Sequence, residues 1–232
     1  MRSKWLILIE YIQNRYLVCS MPKPLLCLLT VLFYLPALAS ADTTGRFQLF
    51  FRGAEYTKIV ANSSGSPYLY EDTPGVRKVH YFGHWFSDVE LHYDAEDDLL
   101  MTREVNGAIR MSLVKEKVSS FYLGPRKFIV VPDVGFCEVL YDGPHAVMVR
   151  WQKVLVRRGV EDPYYRTYER VFVSDKGALV EVSGKKGLME LAGKNGRKMQ
   201  DPSKQLKLNF KENFSKSAAQ FMAYVDQHQL YE

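Results

Sequence analysis

Cysteine is scarce in this 232-residue chain: Cys19, Cys27 and Cys137 are the only three. That excludes the small disulfide-stapled scaffolds common outside the cell. Long hydrophobic runs are missing too, and none reaches the roughly 20 residues that carry a helix across a bilayer. Glycine (15) and proline (10) are too few for a collagen or a low-complexity linker. Charge of one sign is not in large excess, with 31 Lys and Arg against 26 Asp and Glu. There is no G-x-S-x-G turn, P-loop or dinucleotide fingerprint, and the acidic run Asp94 to Asp98 lacks the glycine and terminal glutamate of a calcium loop. What the chain does have is apolar content, 47%, enough for a packed core in one large domain or two small ones.

The N-terminal region reads as a leader. From Met21 the order is one basic residue (Lys23), an apolar run Leu25 to Leu35, the breaker Pro36, then Ala37-Leu38-Ala39-Ser40-Ala41, the layout of a secretory signal peptide. The small residues Ala39 and Ala41 put cleavage after Ala41, leaving one exported domain of 191 residues from Asp42 to Glu232. Residues 1–20, interrupted by Glu10 and Arg15, fit no such plan and read as an upstream extension, so that 21–41 is the leader and 42–232 the domain. The first 41 residues hold Arg2, Lys4, Arg15 and Lys23 against Glu10, so their removal lowers the net charge from +5 to +2. The electrostatic case for nucleic acid goes with them. Only Cys137 survives cleavage, so no intrachain disulfide can form, and no stable membrane span is expected in the mature chain. The expected location is the periplasm, the outer surface or the medium.

Between residues 46 and 183, short runs rich in Val, Ile, Phe, Tyr and Leu alternate with Gly, Pro, Asn and Asp clusters every 8 to 12 residues. This predicts a mainly β (α+β) fold: an antiparallel meander, sandwich or barrel-like body over 42–183 with a short helical C-terminal segment over 184–232. Expected strands include Phe47 to Phe51, Tyr56 to Val60, Val76 to Phe82, one long strand from Trp85 to Tyr93, Ala146 to Val156, Tyr168 to Val173 and Ala178 to Val182. Hairpin turns are expected at Asn106-Gly107 and at Asp175-Lys176-Gly177. Helices are expected around Leu188 to Leu191, after the cap Asp201-Pro202, and from Ser215 to Gln229, where Ala218, Phe221, Met222 and Val225 share one face.

Gly65-Ser66-Pro67-Tyr68-Leu69-Tyr70-Glu71-Asp72, the stretch Val89 to Leu100, Cys137-Glu138-Val139-Leu140-Tyr141-Asp142-Gly143 and Lys185-Lys186-Gly187-Leu188-Met189-Glu190-Leu191 together resemble a family of uncharacterised secreted proteins from Gram-negative bacteria. The resemblance covers nearly the whole mature chain. It implies export and a β-rich body with a short helical C-terminus, and it carries over no catalytic residue.

Two groups of residues invite a chemical reading. His80, His84 and His92, with Asp88 among them, are residue types that can hold zinc. On a strand, however, an i, i+4 step spans about 13 Å, too far for one ion with ligands at about 2 Å. The main reading is an exposed polar strand face, with the metal site as its alternative and no cofactor required. The second group is aromatic: Tyr68 and Tyr70 beside a proline turn, and Tyr164 and Tyr165 in an expected loop near Arg166. Exposed rings on a β scaffold can stack on sugars or anchor a protein partner. Cys137, in strand register with Val139 and Tyr141, reads as a small core residue, and the acidic run Asp94 to Asp98 as a solvated hairpin tip. The expectation is an exported, non-catalytic binding or structural module whose partner is a protein, glycan or small molecule. The alternatives are a hydrolase whose acids and histidines converge from separate strands, and a carrier with a lipid or sugar inside a barrel.

Overall fold

The computed structural model describes residues 48–58, 62–70, 77–103, 110–159, 162–192 and 206–228. By its contacts the chain divides at Gln48/Leu49, and the described strands and α-helices all belong to the unit Leu49–Glu232. The expected leader (1–41), the turn Asn106-Gly107 and the cap Asp201-Pro202 lie outside the described residues.

The fold is mainly β, built from two antiparallel sheets. The first has five strands in the order β1 (Ala54–Glu55), β7 (Arg110–Ser112), β6 (Leu99–Arg103), β5 (Leu91–Asp94) and β2 (Tyr68–Leu69). The second has eight: β13 (Ala178–Val182), β12 (Tyr164–Asp175), β11 (Val147–Val156), β10 (Gly135–Tyr141), β9 (Arg126–Val131), β8 (Val118–Leu123), β3 (Arg77–Tyr81) and β4 (His84–Ser87). Six consecutive strands, β8 to β13, form a meander, and the β3–β4 hairpin extends it along β8. Neither sheet closes on itself, so the body is not a barrel. Tight turns set the hairpins: Phe82-Gly83 and Lys176-Gly177 each take positive φ at both residues, as a type I′ connection demands.

Period-two alternation explains the first core. Val79, Phe86, Phe121 and Phe128 oppose one another across β4, β3, β8 and β9 and are all buried. The Phe121 and Phe128 rings stack at 4.7 Å, and Tyr93 from the five-stranded sheet meets Phe128 and Phe136 edge-on at 5.7 and 5.6 Å. The space between the sheets is therefore filled with rings, whereas a ligand carrier would need an apolar cavity there. A second core lies over the other half of the large sheet. Val147, Val149, Val171, Val173 and Val182 pack with helix α1 (Gly184–Leu191) and helix α2 (Phe214–Gln227). The expected face of α2 is the buried one, with Ala218, Phe221, Met222 and Val225 all inside.

Local pattern misleads at five places. Gln48–Arg52 is a 3-10 helix rather than a strand, because one ring is needed inside: Phe50 packs on Tyr81 and Phe86 while Phe51 faces out. The single strand expected from Trp85 to Tyr93 is two strands in different sheets. Asp88 adopts φ +58, breaks the chain direction and reverses the phase, so that Phe86 is buried before the break and Leu91 and Tyr93 after it. Tyr164 to Thr167, expected as loop, opens β12, and Tyr56 to Lys58 lie beyond the two-residue β1. Residues 206–213 form turns where a helix was expected, with Phe210 meeting Phe221 at 6.4 Å.

Because Phe221 is enclosed by the second core, Phe221→Ala is expected to cost about 3–5 kcal/mol of stability. A urea titration followed by circular dichroism measures this, and an unchanged midpoint would contradict the packing.

Candidate functional site

The histidines are not brought together. His80 on β3 opposes Trp85, His84 opposes Tyr81, and His92 lies in the other sheet on β5. Each has its own neighbours: His80 bonds Ser119 and lies tilted against the Trp85 ring, while His92 bonds Glu90 at 3.1 Å and lies tilted against the Tyr68 ring. Among the described residues no three His, Cys, Asp or Glu side chains are placed to hold a metal ion.

The tyrosines separate as well. Tyr68 is buried, and its hydroxyl accepts from Arg110 at 3.0 Å, so it is a core residue rather than an exposed platform. Tyr164 and Tyr165 are neighbours on β12, and a strand sends neighbours to opposite faces. The Tyr165 hydroxyl donates to Glu96 at 3.1 Å, in the part of the body where the segment 62–70 is tied down: Ser64 bridges Tyr164, and the Lys153 ammonium donates to the carbonyls of Ser66 (2.8 Å) and Tyr68. Tyr164 instead shares register with Val156, and the same face continues through Val154, Arg166, Gln152 and Tyr168.

The acidic hairpin tip is in the expected place but is only partly solvated: Asp97 is exposed, whereas Asp94 and Asp98 are buried. Asp94 is completely buried, accepting from the backbone N–H groups of Glu96 (2.8 Å) and Asp97 (3.2 Å), from the Tyr56 hydroxyl (2.7 Å) and from Lys58 (2.9 Å). Lys58 also pairs with Glu96 and Asp97. Burial by itself would lower the Lys58 pKa, but its bonds to Asp97, Glu96 and Asp94 outweigh this and raise it. At the other end of the tip, Asp98 accepts from the Tyr93 hydroxyl (2.7 Å), Arg150 (3.1 Å), Lys115 and the backbone N–H of Phe136 (3.4 Å). Gly135, at φ +112, lies so close to Asp98 that a Cβ there would overlap the carboxylate.

A third buried carboxylate, Glu138, has little to mark it in the sequence. It is 2% exposed and accepts from Trp151 Nε1 (2.6 Å) and the Tyr70 hydroxyl (3.0 Å) on one oxygen and from Arg126 (2.7 Å) on the other. Arg126 also lies 3.9 Å from the centre of the Tyr70 ring. Tyr70 thus belongs to this cluster, and burial, then the Glu138 charge, pushes its hydroxyl pKa up. The only signal in the sequence is one acid interrupting Phe136-Cys137-Glu138-Val139-Leu140. His145 is buried too, bonding Asp226 through its ring and its backbone N–H, which fastens α2 to the start of β11. Cys137 is the expected core residue: burial, opposed by Arg150, pushes its thiol up to about 12.

Among the described residues, no buried side-chain nitrogen or oxygen lacks a hydrogen-bond partner. These clusters can cross-link strands, and Asp94, Asp98 and Glu138 each accept from at least three protein donors. What projects outward from the strands is apolar. Trp85 is 50% exposed on the edge strand β4, and Tyr168 (43%) and Val154 (37%) are exposed on the β11–β12 ribbon. Comparison with known proteins gives no matching family model, no similar curated protein and no similar solved structure.

Glu138→Ala would leave Trp151, Tyr70 and Arg126 without their acceptor, and a loss of about 2–3 kcal/mol in chemical denaturation is expected, discounted because Arg126 is one-third exposed. Alkaline pH tests the other buried acids. Cys137 and Tyr93 both have folded-state pKa values above their ordinary ones, so the folded chain holds protons that the unfolded chain releases between pH 9.0 and about 12. Stability should therefore fall across that window, and a flat thermal midpoint there would contradict the burial of both groups.

Proposed function

We propose that the protein is an exported, non-catalytic binding or structural module of a Gram-negative envelope or outer surface, akin to the secreted family its motifs resemble. One observation supports this most directly: the described buried carboxylates are committed to partners inside the fold, while large apolar side chains stand exposed on rigid strands. A surface ring on a paired strand loses little conformational freedom when a partner covers it, which favours contact residues of this kind. The β11–β12 ribbon offers such a face, with Val154 and Tyr168 exposed, Tyr164 in the same register and Arg166 lying 5.1 Å from the Tyr168 ring centre. The partner is a protein or a glycan of the envelope. The leader layout and the single cysteine left after Ala41 support the export half of the reading.

The test has two parts. The chain is expressed with its own leader in a Gram-negative host, fractionated, and its N-terminus determined by mass spectrometry; a mature chain from Asp42 outside the cytoplasm is expected, and a cytoplasmic chain from Met1 would refute export. The mature protein is then sedimented with purified envelopes. Tyr168→Ser combined with Val154→Ser should weaken co-sedimentation about tenfold or more, since each removes exposed apolar area from one contact face. Undiminished or absent co-sedimentation would count against the module.

A further inference from the structure

We infer that the outer face of β4, β3 and β8 is a platform for a sugar ring that carries an anionic group, an inference that rests on the binding-module reading. The face is defined by register. Trp85 opposes His80, Ser87 opposes Lys78, and Lys78 and His80 in turn oppose Tyr122 and Ser120. These residues alternate with Val79, Phe86 and Phe121, whose burial locks the three strands beneath them. On this rigid base the Trp85 and His80 rings lie 5.0 Å apart and the Trp85 and Tyr122 rings 6.1 Å apart. The indole is half exposed, at the sheet's free edge.

The chemistry of the neighbours selects the ligand. An indole face takes the C–H face of a pyranose, and its surroundings here, His80, Ser87 and Ser120, are hydrogen-bonding groups suited to hydroxyls. A protein hot spot would instead be ringed by groups that exclude water. The charge comes from Lys78. Its ammonium lies 4.4 Å from the centre of the Tyr122 ring and 5.2 Å from that of Trp85, and it has no carboxylate partner among the described residues. Ring faces hold the cation without neutralising it, so it stays available to a carboxylate or sulfate at the edge of a stacked sugar. The neighbouring Lys127 is already paired with Asp142 at 2.8 Å, and Asp88 follows Ser87 at the far end of β4. The positive charge is thus one point rather than the continuous track a nucleic-acid backbone requires.

The mature protein is titrated by calorimetry with trigalacturonate, with a sulfated disaccharide and with neutral maltotriose, and with a thymidine oligonucleotide as the competing polyanion. At least one acidic sugar should bind with Kd below about 1 mM and weaken in high salt. Trp85→Ala should abolish this, Trp85→Tyr should restore part of it, and Lys78→Gln should weaken the acidic sugar about tenfold or more. Trp85 is exposed, so the variants should melt with the parent protein. Carboxylate and sulfate sources are separated by which of the two sugars binds. The inference is overturned if neither acidic sugar binds, if Trp85→Ala or Lys78→Gln leaves binding intact, or if maltotriose or the oligonucleotide binds more tightly. Envelope binding that depends on Tyr168 and Val154 while acidic sugars fail would overturn this inference and leave the module standing.

Discussion

The position of Asp98 constrains much of the rest. This carboxylate ends the β5–β6 turn of the five-stranded sheet and is bonded by Arg150 of β11, Lys115 ahead of β8 and the backbone of Phe136 in β10. A buried carboxylate is costly unless donors surround it, so the two sheets can pack here only if all of these groups arrive together. Gly135 is part of the same requirement, because its missing side chain is the space the carboxylate occupies. Tyr93 completes the arrangement by reaching Asp98 with its hydroxyl while its ring fills the core among Phe121, Phe128 and Phe136.

The other polar clusters repeat this device at different seams. Glu138 joins Tyr70 of the segment after β2 to β9 and β11, His145 joins β11 to α2, and Lys58 gathers the acids of the β5–β6 turn. Each lies where two elements distant in sequence must meet in one way, and apolar packing alone is less exacting about register. On the proposed reading this division matters for function. Charge is used inside to set the architecture, and exposed rings on the strands it fixes are left for contact.

Much of the architecture was legible because it follows from period. The apolar, β-branched runs at Ala178–Val182 and Val147–Val156 and the i, i+3, i+4, i+7 face of α2 are local patterns that the fold retains. The failures have a common physical origin. Asp88 looks like one more polar residue in an alternating strand, and nothing local marks it as the positive-φ residue that sends the chain from one sheet to the other. Site residues were harder still. Asp94 and Asp98 in an acidic run look solvated, and their burial depends on Lys58, Arg150 and Lys115, which are remote in sequence. Tyr164 and Tyr165 make one aromatic pair only on a loop, and β12 turns them to opposite faces. Trp85 is the converse case: on one continuous strand it would share the buried face of Leu91 and Tyr93, and the phase change at Asp88 leaves it outside.

The most direct test of the central claim, that buried charge joins the two sheets, is a double-mutant cycle on Asp98→Asn and Arg150→Gln in urea unfolding. A coupling of at least about 1 kcal/mol is predicted, because the pair is nearly enclosed and each partner becomes unsatisfied when the other is changed. Additive effects, with each single variant near the parent stability, would contradict the claim and leave the sheets held by their aromatic core alone.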